Sequence, residues 1–281
     1  MPAPARATGT NDTAGARRIT AAFARAHAAG RIALVPYVVA GYPDAATSLR
    51  IALAAIDAGA DLLEVGLPYS DPLADGATLQ RASQVALAAG ATLEGSLRLI
   101  EDIAAARPDT PIVPMGYANQ FLGGGDGRAA ARRLSQAGAA GVIVADLTPD
   151  EGGRFEVVAA EQGLAVVYLV APTTPPARRA AVAARSGGFL YCVSLVGVTG
   201  ARTSLPTTVG RLIRDVVAAS PVPVGVGFGV SKAAHVKAIA KAGAAGVIVA
   251  SALVDALGPD GRDVDGMTQL ARSLAAATST R

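Results

Sequence analysis

Two carboxylates are the first candidates for chemistry. Glu64 interrupts an otherwise apolar run, DLLEVG at 61–66, and Asp75 follows eleven residues later in PYSDPLADG at 68–76. An unpaired carboxylate anion buried at the first position would cost several kcal/mol. Glu64 is therefore either half of a structural ion pair or an acid whose proton affinity is raised by apolar surroundings. An acid of that kind gives and takes a proton near neutral pH. Asp75 reads either as a turn residue in ADG or as a second carboxylate on a loop that folds over the same mouth.

The other candidates are aromatic or glycine-rich. Tyr37, Tyr117 and Tyr191 sit on or at the ends of apolar runs, where they suit a flat, apolar ligand. VTG at 198–200, Gly227-Phe228-Gly229 and Ala250-Ser251 would present backbone N–H groups. Such loops, followed by a short helix, are a recurrent phosphate site. GFG alone is a weak motif, and with VTG it becomes a moderate one.

What is scarce excludes much else. A lone Cys192 permits neither an intrachain disulfide nor a cysteine zinc site. His27 and His235 are far apart, fall in helical stretches, and are expected on the surface or at an interface. The only lysines, Lys232, Lys237 and Lys241, crowd one helical stretch, so no strand carries a Schiff-base lysine. No metal site and no dinucleotide fingerprint is legible. The formal charge of +3 is a small excess spread along 281 residues, with no basic run for nucleic acid. No stretch approaches a membrane span, and residues 1–14 lack the apolar core of a secretory signal. A cytoplasmic protein is expected, with 1–14 a flexible tail and 15–281 one domain.

Those residues need a scaffold that gathers them, and a repeat supplies it. AGAAGVIVA occurs identically at 137–145 and 242–250, with AGADLLEVG at 58–66 a looser copy. Each reads as a helix end, a glycine cap and a short buried strand. Eight apolar runs fit this template, at 33–39, 62–66, 111–116, 141–145, 165–170, 189–194, 223–227 and 246–250. Helical spacing lies between them at 45–58, 92–106, 127–137, 151–162, 176–186, 207–219 and 231–242. A last helix covers 265–277, and an extra one at 16–29 precedes the first strand. The pattern predicts an α/β fold, a (β/α)8 TIM barrel with an extra N-terminal helix. Residues 67–91 read as one long loop.

LLEVGLPYSDPLADG, the tyrosine ending strand three, VGVTGAR at 196–202 and GVGFGVS at 225–231 together resemble the tryptophan synthase alpha subunit family, from about Arg17 to the C-terminus. The resemblance implies retro-aldol cleavage of indole-3-glycerol phosphate to indole and glyceraldehyde 3-phosphate, with no metal or organic cofactor in this chain. It implies that Glu64 is the acid–base and that Asp75 accepts a hydrogen bond from the indole N–H. Tyr191 would line the site beside Glu64, with Tyr37 and Tyr117 in the indole pocket. Gly200, Gly229, Ala250 and Ser251 would hold the phosphate through their amides, with Phe228 alongside. Thr199 would order its loop over substrate.

It further implies a pyridoxal-phosphate beta subunit as partner, in an alpha2-beta2 heterotetramer that passes indole on for L-tryptophan synthesis. Pro68, Asp71, Pro72 and Asn119 would meet that partner. Ala250 and Ala77 replace residues that are often glycine and proline in the family, and the stretch after Asn119 is unusually glycine-rich. A stand-alone lyase releasing free indole and a non-catalytic activator of a beta subunit are the competing expectations.

Overall fold

The computed structural model describes residues 11–123, 125–194, 207–227 and 229–280. Among these, nine parallel strands form one sheet: β1 (Ala33–Val39), β2 (Leu63–Gly66), β3 (Ile112–Gly116), β4 (Gly141–Val144), β5 (Ala165–Val167), β6 (Leu169–Val170), β7 (Leu190–Val193), β8 (Val224–Gly227) and β9 (Gly246–Val249). Their order is β5-β4-β3-β2-β1-β9-β8-β7-β6. β5 pairs with β4, and β6, its continuation, pairs with β7. The sheet thus rolls into a nearly closed barrel in which the eight expected runs are the eight staves.

The stave expected at 165–170 is split at Tyr168. Its N–H donates to the Ser186 hydroxyl at 3.0 Å rather than to a neighbouring strand. Its own hydroxyl donates to the buried Glu156 at 2.6 Å, and Glu156 pairs with Arg185 at 2.8 Å. The Tyr168 carbonyl still accepts from the Tyr191 N–H on β7 at 3.0 Å, so only its N–H leaves the ladder.

Helices α1 (Ala14–Ala28), α2 (Ala45–Asp57), α4 (Leu93–Ala106), α6 (Arg128–Gln136), α7 (Pro149–Glu161), α8 (Pro176–Ala183), α9 (Thr207–Ala219), α10 (Ala233–Lys241) and α12 (Val264–Ala276) lie where helical spacing predicts them. Their starts carry local signals. Thr13 caps α1, Asp44 caps α2 and Thr92 caps α4, each accepting from a backbone N–H at 2.8–3.0 Å. A cap of this kind contributes about 1 kcal/mol.

Three further helices depart from expectation: α3 (Ala77–Ala88), α5 (Ala118–Leu122) and α11 (Ser251–Ala256). The first corrects the reading of 67–91 as a loop. α3 buries Leu79, Ala82, Ser83 and Ala86, a spacing of three and four that belongs to a helix face. The turn-rich segment before it obscures that period. Only residues 67–76 connect β2 to the helix.

α1 crosses the N-terminal end of the barrel. Phe23 packs on Phe189 with centroids 5.5 Å apart, and a Cβ on Gly246 at the start of β9 would come within 2.6 Å of the Phe23 ring. Ile19 lies against Gly188 and against Gly141, where β4 begins. Burying Ile19 and Phe23 contributes about 2–3 kcal/mol each. With this end covered, the C-terminal ends of the strands form the other mouth of the barrel. No helix among the described residues is long and apolar enough to cross a membrane.

Candidate active site

The site is built first by register. Asp61, just before β2, accepts two hydrogen bonds from Arg31 at 2.5 and 2.7 Å and one from the Leu34 N–H at 2.9 Å. This clamp fixes the base of β2 against β1, and Tyr37 then pairs with Glu64. Paired positions on parallel neighbours point to the same face. Both side chains are buried, at 5% and 1% exposure.

Neither carboxylate oxygen of Glu64 has a hydrogen-bond partner among the described residues. The structural ion pair is therefore ruled out there. Burial first, and the charge of Asp75 second, push the Glu64 pKa up to about 8. Glu64 thus holds its proton at neutral pH.

Two glycines make room for the tyrosines beside it. A Cβ on Gly66 would lie 1.8 Å from the Tyr37 hydroxyl, and one on Gly227 would lie 2.4 Å from that of Tyr191. Tyr191, on β7, is also buried. Burial, with the nearby charges of Glu64 and Asp75, raises the pKa of both phenols well above the ordinary value.

Asp75 reaches the same group of side chains from the loop. Its N–H donates to the Pro72 carbonyl at 3.0 Å, and its carbonyl accepts from Gln80 Nε2 at 2.9 Å. Tyr117, directly after β3, accepts from the Ala74 N–H at 3.0 Å, and its hydroxyl hydrogen-bonds the Asp75 carboxylate. Burial lifts the Asp75 pKa to about 6, and the Tyr117 bond holds it from rising further.

Gly229 (φ 77°), Ala250 and Ser251 follow β8 and β9 at this same end of the barrel. Ala250 leads into α11, whose first residue is Ser251. Thr199, Gly200 and Phe228 lie outside the described residues.

The expected partner-facing residues form one rim beside the mouth. Pro68 accepts from Gln120 Nε2 at 3.1 Å, Asp71 accepts from the Ser70 hydroxyl at 2.5 Å, and Pro72 accepts the Asp75 N–H. Asn119 donates to the Tyr69 hydroxyl at 3.4 Å. Asp146, after β4, accepts from the Ala118 N–H at 2.7 Å and so fixes the start of α5.

Two features of this rim are missed by sequence reasoning. Leu73 is 92% exposed between the two aspartates. Tyr69 stacks on Tyr117, with ring centroids 5.1 Å apart. An apolar residue inside a polar turn was the available signal for the first. No sequence signal announces the second.

Other residues are not brought in. His235 corrects its expectation: it is 3% exposed on α10, with Nδ1 accepting from the Ser231 N–H at 3.3 Å, whereas His27 is exposed. Cys192 is buried in β7 with its thiol pKa pushed up to about 12, so it stays protonated and inert. No group of three or more His, Cys, Asp or Glu that could hold a metal occurs among the described residues.

The family model described as the tryptophan synthase alpha chain matches residues 23–279. A tryptophan synthase alpha chain of Roseiflexus castenholzii is 48% identical over 240 residues, covering 85% of this chain and 91% of its own. One of Deinococcus radiodurans is 45% identical, covering 92% and 96%. A solved tryptophan synthase chain of Mycobacterium tuberculosis superposes with a TM-score of 0.86 at 39% identity, covering 94% of this chain and 99% of that one. An alpha-subunit mutant of Pyrococcus furiosus gives 0.81 at 35% identity, covering 88% and 99%. By fold and by sequence, the chain belongs to the tryptophan synthase alpha chain family and has an enzyme's part in tryptophan synthesis.

Proposed function

We propose that the chain is a carbon–carbon lyase that cleaves indole-3-glycerol phosphate to indole and glyceraldehyde 3-phosphate, with Glu64 as acid–base and Asp75 as electrostatic partner. The observation that carries this reading is the buried Glu64 carboxyl, without a hydrogen-bond partner among the described residues and protonated at neutral pH. Glu64 gives its proton to ring carbon C3, leaving positive charge on the indole. Asp75, ionised above about 6, accepts the ring N–H and stabilises that charge. The C–C bond pair returns to the ring as the neighbouring hydroxyl oxygen forms the aldehyde C=O. The hydroxyl proton passes to the Glu64 carboxylate, so the acid is regenerated and no cofactor is consumed.

Tyr37, Tyr117 and Tyr191 would enclose the ring. The phosphate would rest on amides of Gly200, Gly229, Ala250 and Ser251, beside Phe228 and under the Thr199 loop. In this reading residues 15–281 act as one barrel domain in the cytoplasm. Pro68, Asp71, Pro72 and Asn119 meet a pyridoxal-phosphate beta subunit in an alpha2-beta2 assembly.

The test is indole release from indole-3-glycerol phosphate by the chain alone and with a tryptophan synthase beta subunit. Weak activity that rises strongly with the partner supports the proposal, because partner binding would favour the closed, competent loops. Strong activity indifferent to the partner makes it a stand-alone lyase. No indole in either case overturns the lyase assignment, and acceleration of the beta reaction alone would leave an activator.

A further inference from the structure

Asp75 is held by Tyr117, which raises the question of what holds Tyr117. Its backbone is fixed by Gln120: the Tyr117 N–H donates to Gln120 Oε1 at 3.0 Å, and the Gln120 N–H donates back to the Tyr117 carbonyl at 2.9 Å. Neither bond sets the direction of the ring, and with it the position of the hydroxyl six atoms out. Against that ring lies the flat face of Tyr69. The two rings lie 26° from parallel with centroids 5.1 Å apart, within the range of an offset stack.

Tyr69 is itself restrained at both ends. On the chain side it follows Pro68, whose carbonyl is tied to Gln120 Nε2 at 3.1 Å. At the far end its hydroxyl accepts from Asn119 Nδ2 at 3.4 Å. The contacts close a circuit. The loop leaves β2 through Pro68 and Tyr69, Tyr69 sets Tyr117, and Tyr117 grips the same loop again at Ala74 and Asp75.

We infer that Tyr69 is a positioning residue for Asp75: its ring, steadied by Asn119, fixes the Tyr117 hydroxyl where it holds the Asp75 carboxylate. The inference rests on the lyase reading only for the task given to Asp75. The circuit itself is a matter of geometry. It also connects an exposed rim residue, Asn119, to a carboxylate inside the mouth through two aromatic rings. Among the described residues, the charged and titratable groups that bear on Asp75 and Tyr117 are Glu64, Tyr37, Tyr191 and Asp146, and the Tyr117 bond is the interaction there that favours the Asp75 anion.

The test reads Asp75 directly and does not need turnover. In the full chain with 13C-labelled aspartate carboxyls, the Asp75 signal is assigned by its loss in Asp75→Asn. Its midpoint is then followed in the wild type and in Tyr117→Phe, Tyr69→Phe, Tyr69→Leu and Asn119→Ala. Loss of a hydrogen bond to an anion raises its pKa, so Tyr117→Phe moves the midpoint up by about half a pH unit or more. Tyr69→Leu moves it the same way, and Tyr69→Phe and Asn119→Ala move it less, because both keep the stacked ring.

Tyr69→Leu combined with Tyr117→Phe is expected to go no further than Tyr117→Phe alone, the mark of two residues acting through one bond. Should Tyr69→Leu fail to fold, Tyr69→Met removes the flat ring at similar volume and is read in its place. In turnover with the beta subunit, Tyr69→Leu lowers kcat about tenfold and changes KM by less than about twofold, because it misplaces a transition-state contact. A folded ring-removing variant with a wild-type Asp75 midpoint overturns the inference. So does an additive double variant. A midpoint that moves as stated in a chain that makes no indole upholds the positioning and overturns the lyase reading instead.

Discussion

Asp75 lies near enough to Glu64 that its charge helps to hold the proton on the Glu64 carboxyl. One carboxylate comes from a strand and the other from the loop that follows it, and their environments set their pKa values apart, at about 8 and about 6. A proton donor and an anion therefore coexist in one site between those values.

Indole formation should accordingly be bell-shaped in pH. The limb near 6 reports ionisation of Asp75, and the limb near 8 reports loss of the Glu64 proton. Both belong to the coupled pair. Asp75→Asn removes a negative neighbour, so the Glu64 midpoint, followed by 13C titration, should move down. A kcat/KM that stays level from about pH 5 to about pH 9 would sink the assignment of both roles.

Replacing the acid should be severe and selective. Glu64→Gln is expected to lower kcat about 10²–10⁴-fold, while binding of a phosphate-bearing product analogue changes little. Asp75→Asn is expected to lose about 10²–10³-fold, because a neutral amide stabilises developing ring charge poorly. Kinetics with the beta subunit present, beside calorimetric binding of glycerol 3-phosphate, separate the two effects. Substantial turnover by Glu64→Gln would displace it from the mechanism.

The same carboxyl should cost the fold stability. The Glu64 pKa is raised from 4.5 to about 8, so the native state binds a proton that the unfolded state has released. The stability associated with Glu64 is fully present below 4.5 and is lost progressively as pH rises through about 8. Glu64→Gln should therefore be more stable than wild type, by about 3 kcal/mol at pH 7 and by less at lower pH. Thermal unfolding across that window decides it, and a difference that shrinks as pH rises would contradict the burial argument.

Gly66→Ala should displace Tyr37. The added Cβ would fall 1.8 Å from the Tyr37 hydroxyl, and the strand at Gly66 has no slack to yield. A loss of about 1–3 kcal/mol in stability is expected, in the range of overpacked cores. Removing the hydroxyl with Tyr37→Phe should recover part of it. Denaturant unfolding of the two single variants and the double variant measures the recovery. Simple additivity would mean that the clash lies elsewhere.

Much of this protein could be read without coordinates. The repeat AGAAGVIVA and the eight apolar runs define the barrel because a buried parallel strand needs a continuous apolar run, a local property of the chain. Glu64 stood out for the complementary reason: a carboxyl within such a run has no local partner. α3 was missed because its small residues, Ala82, Ser83 and Ala86, give a helix face little apolar contrast beside the polar turn before it. The split at Tyr168 was equally hidden, since its N–H turns to the hydroxyl of Ser186, distant in sequence.

By itself, then, the sequence determined the strands, most of the helices and the two carboxylates, since each rests on the type and spacing of neighbouring residues. The tertiary structure alone decided that Glu64 has no hydrogen-bond partner among the described residues, that Asp75 bears on it, and that Tyr69 stands behind Tyr117. Proton affinity depends on what surrounds a group in three dimensions. The residues around Glu64 and Asp75 come from β1, β2, β7 and the end of β3, which only closure of the barrel brings to one mouth.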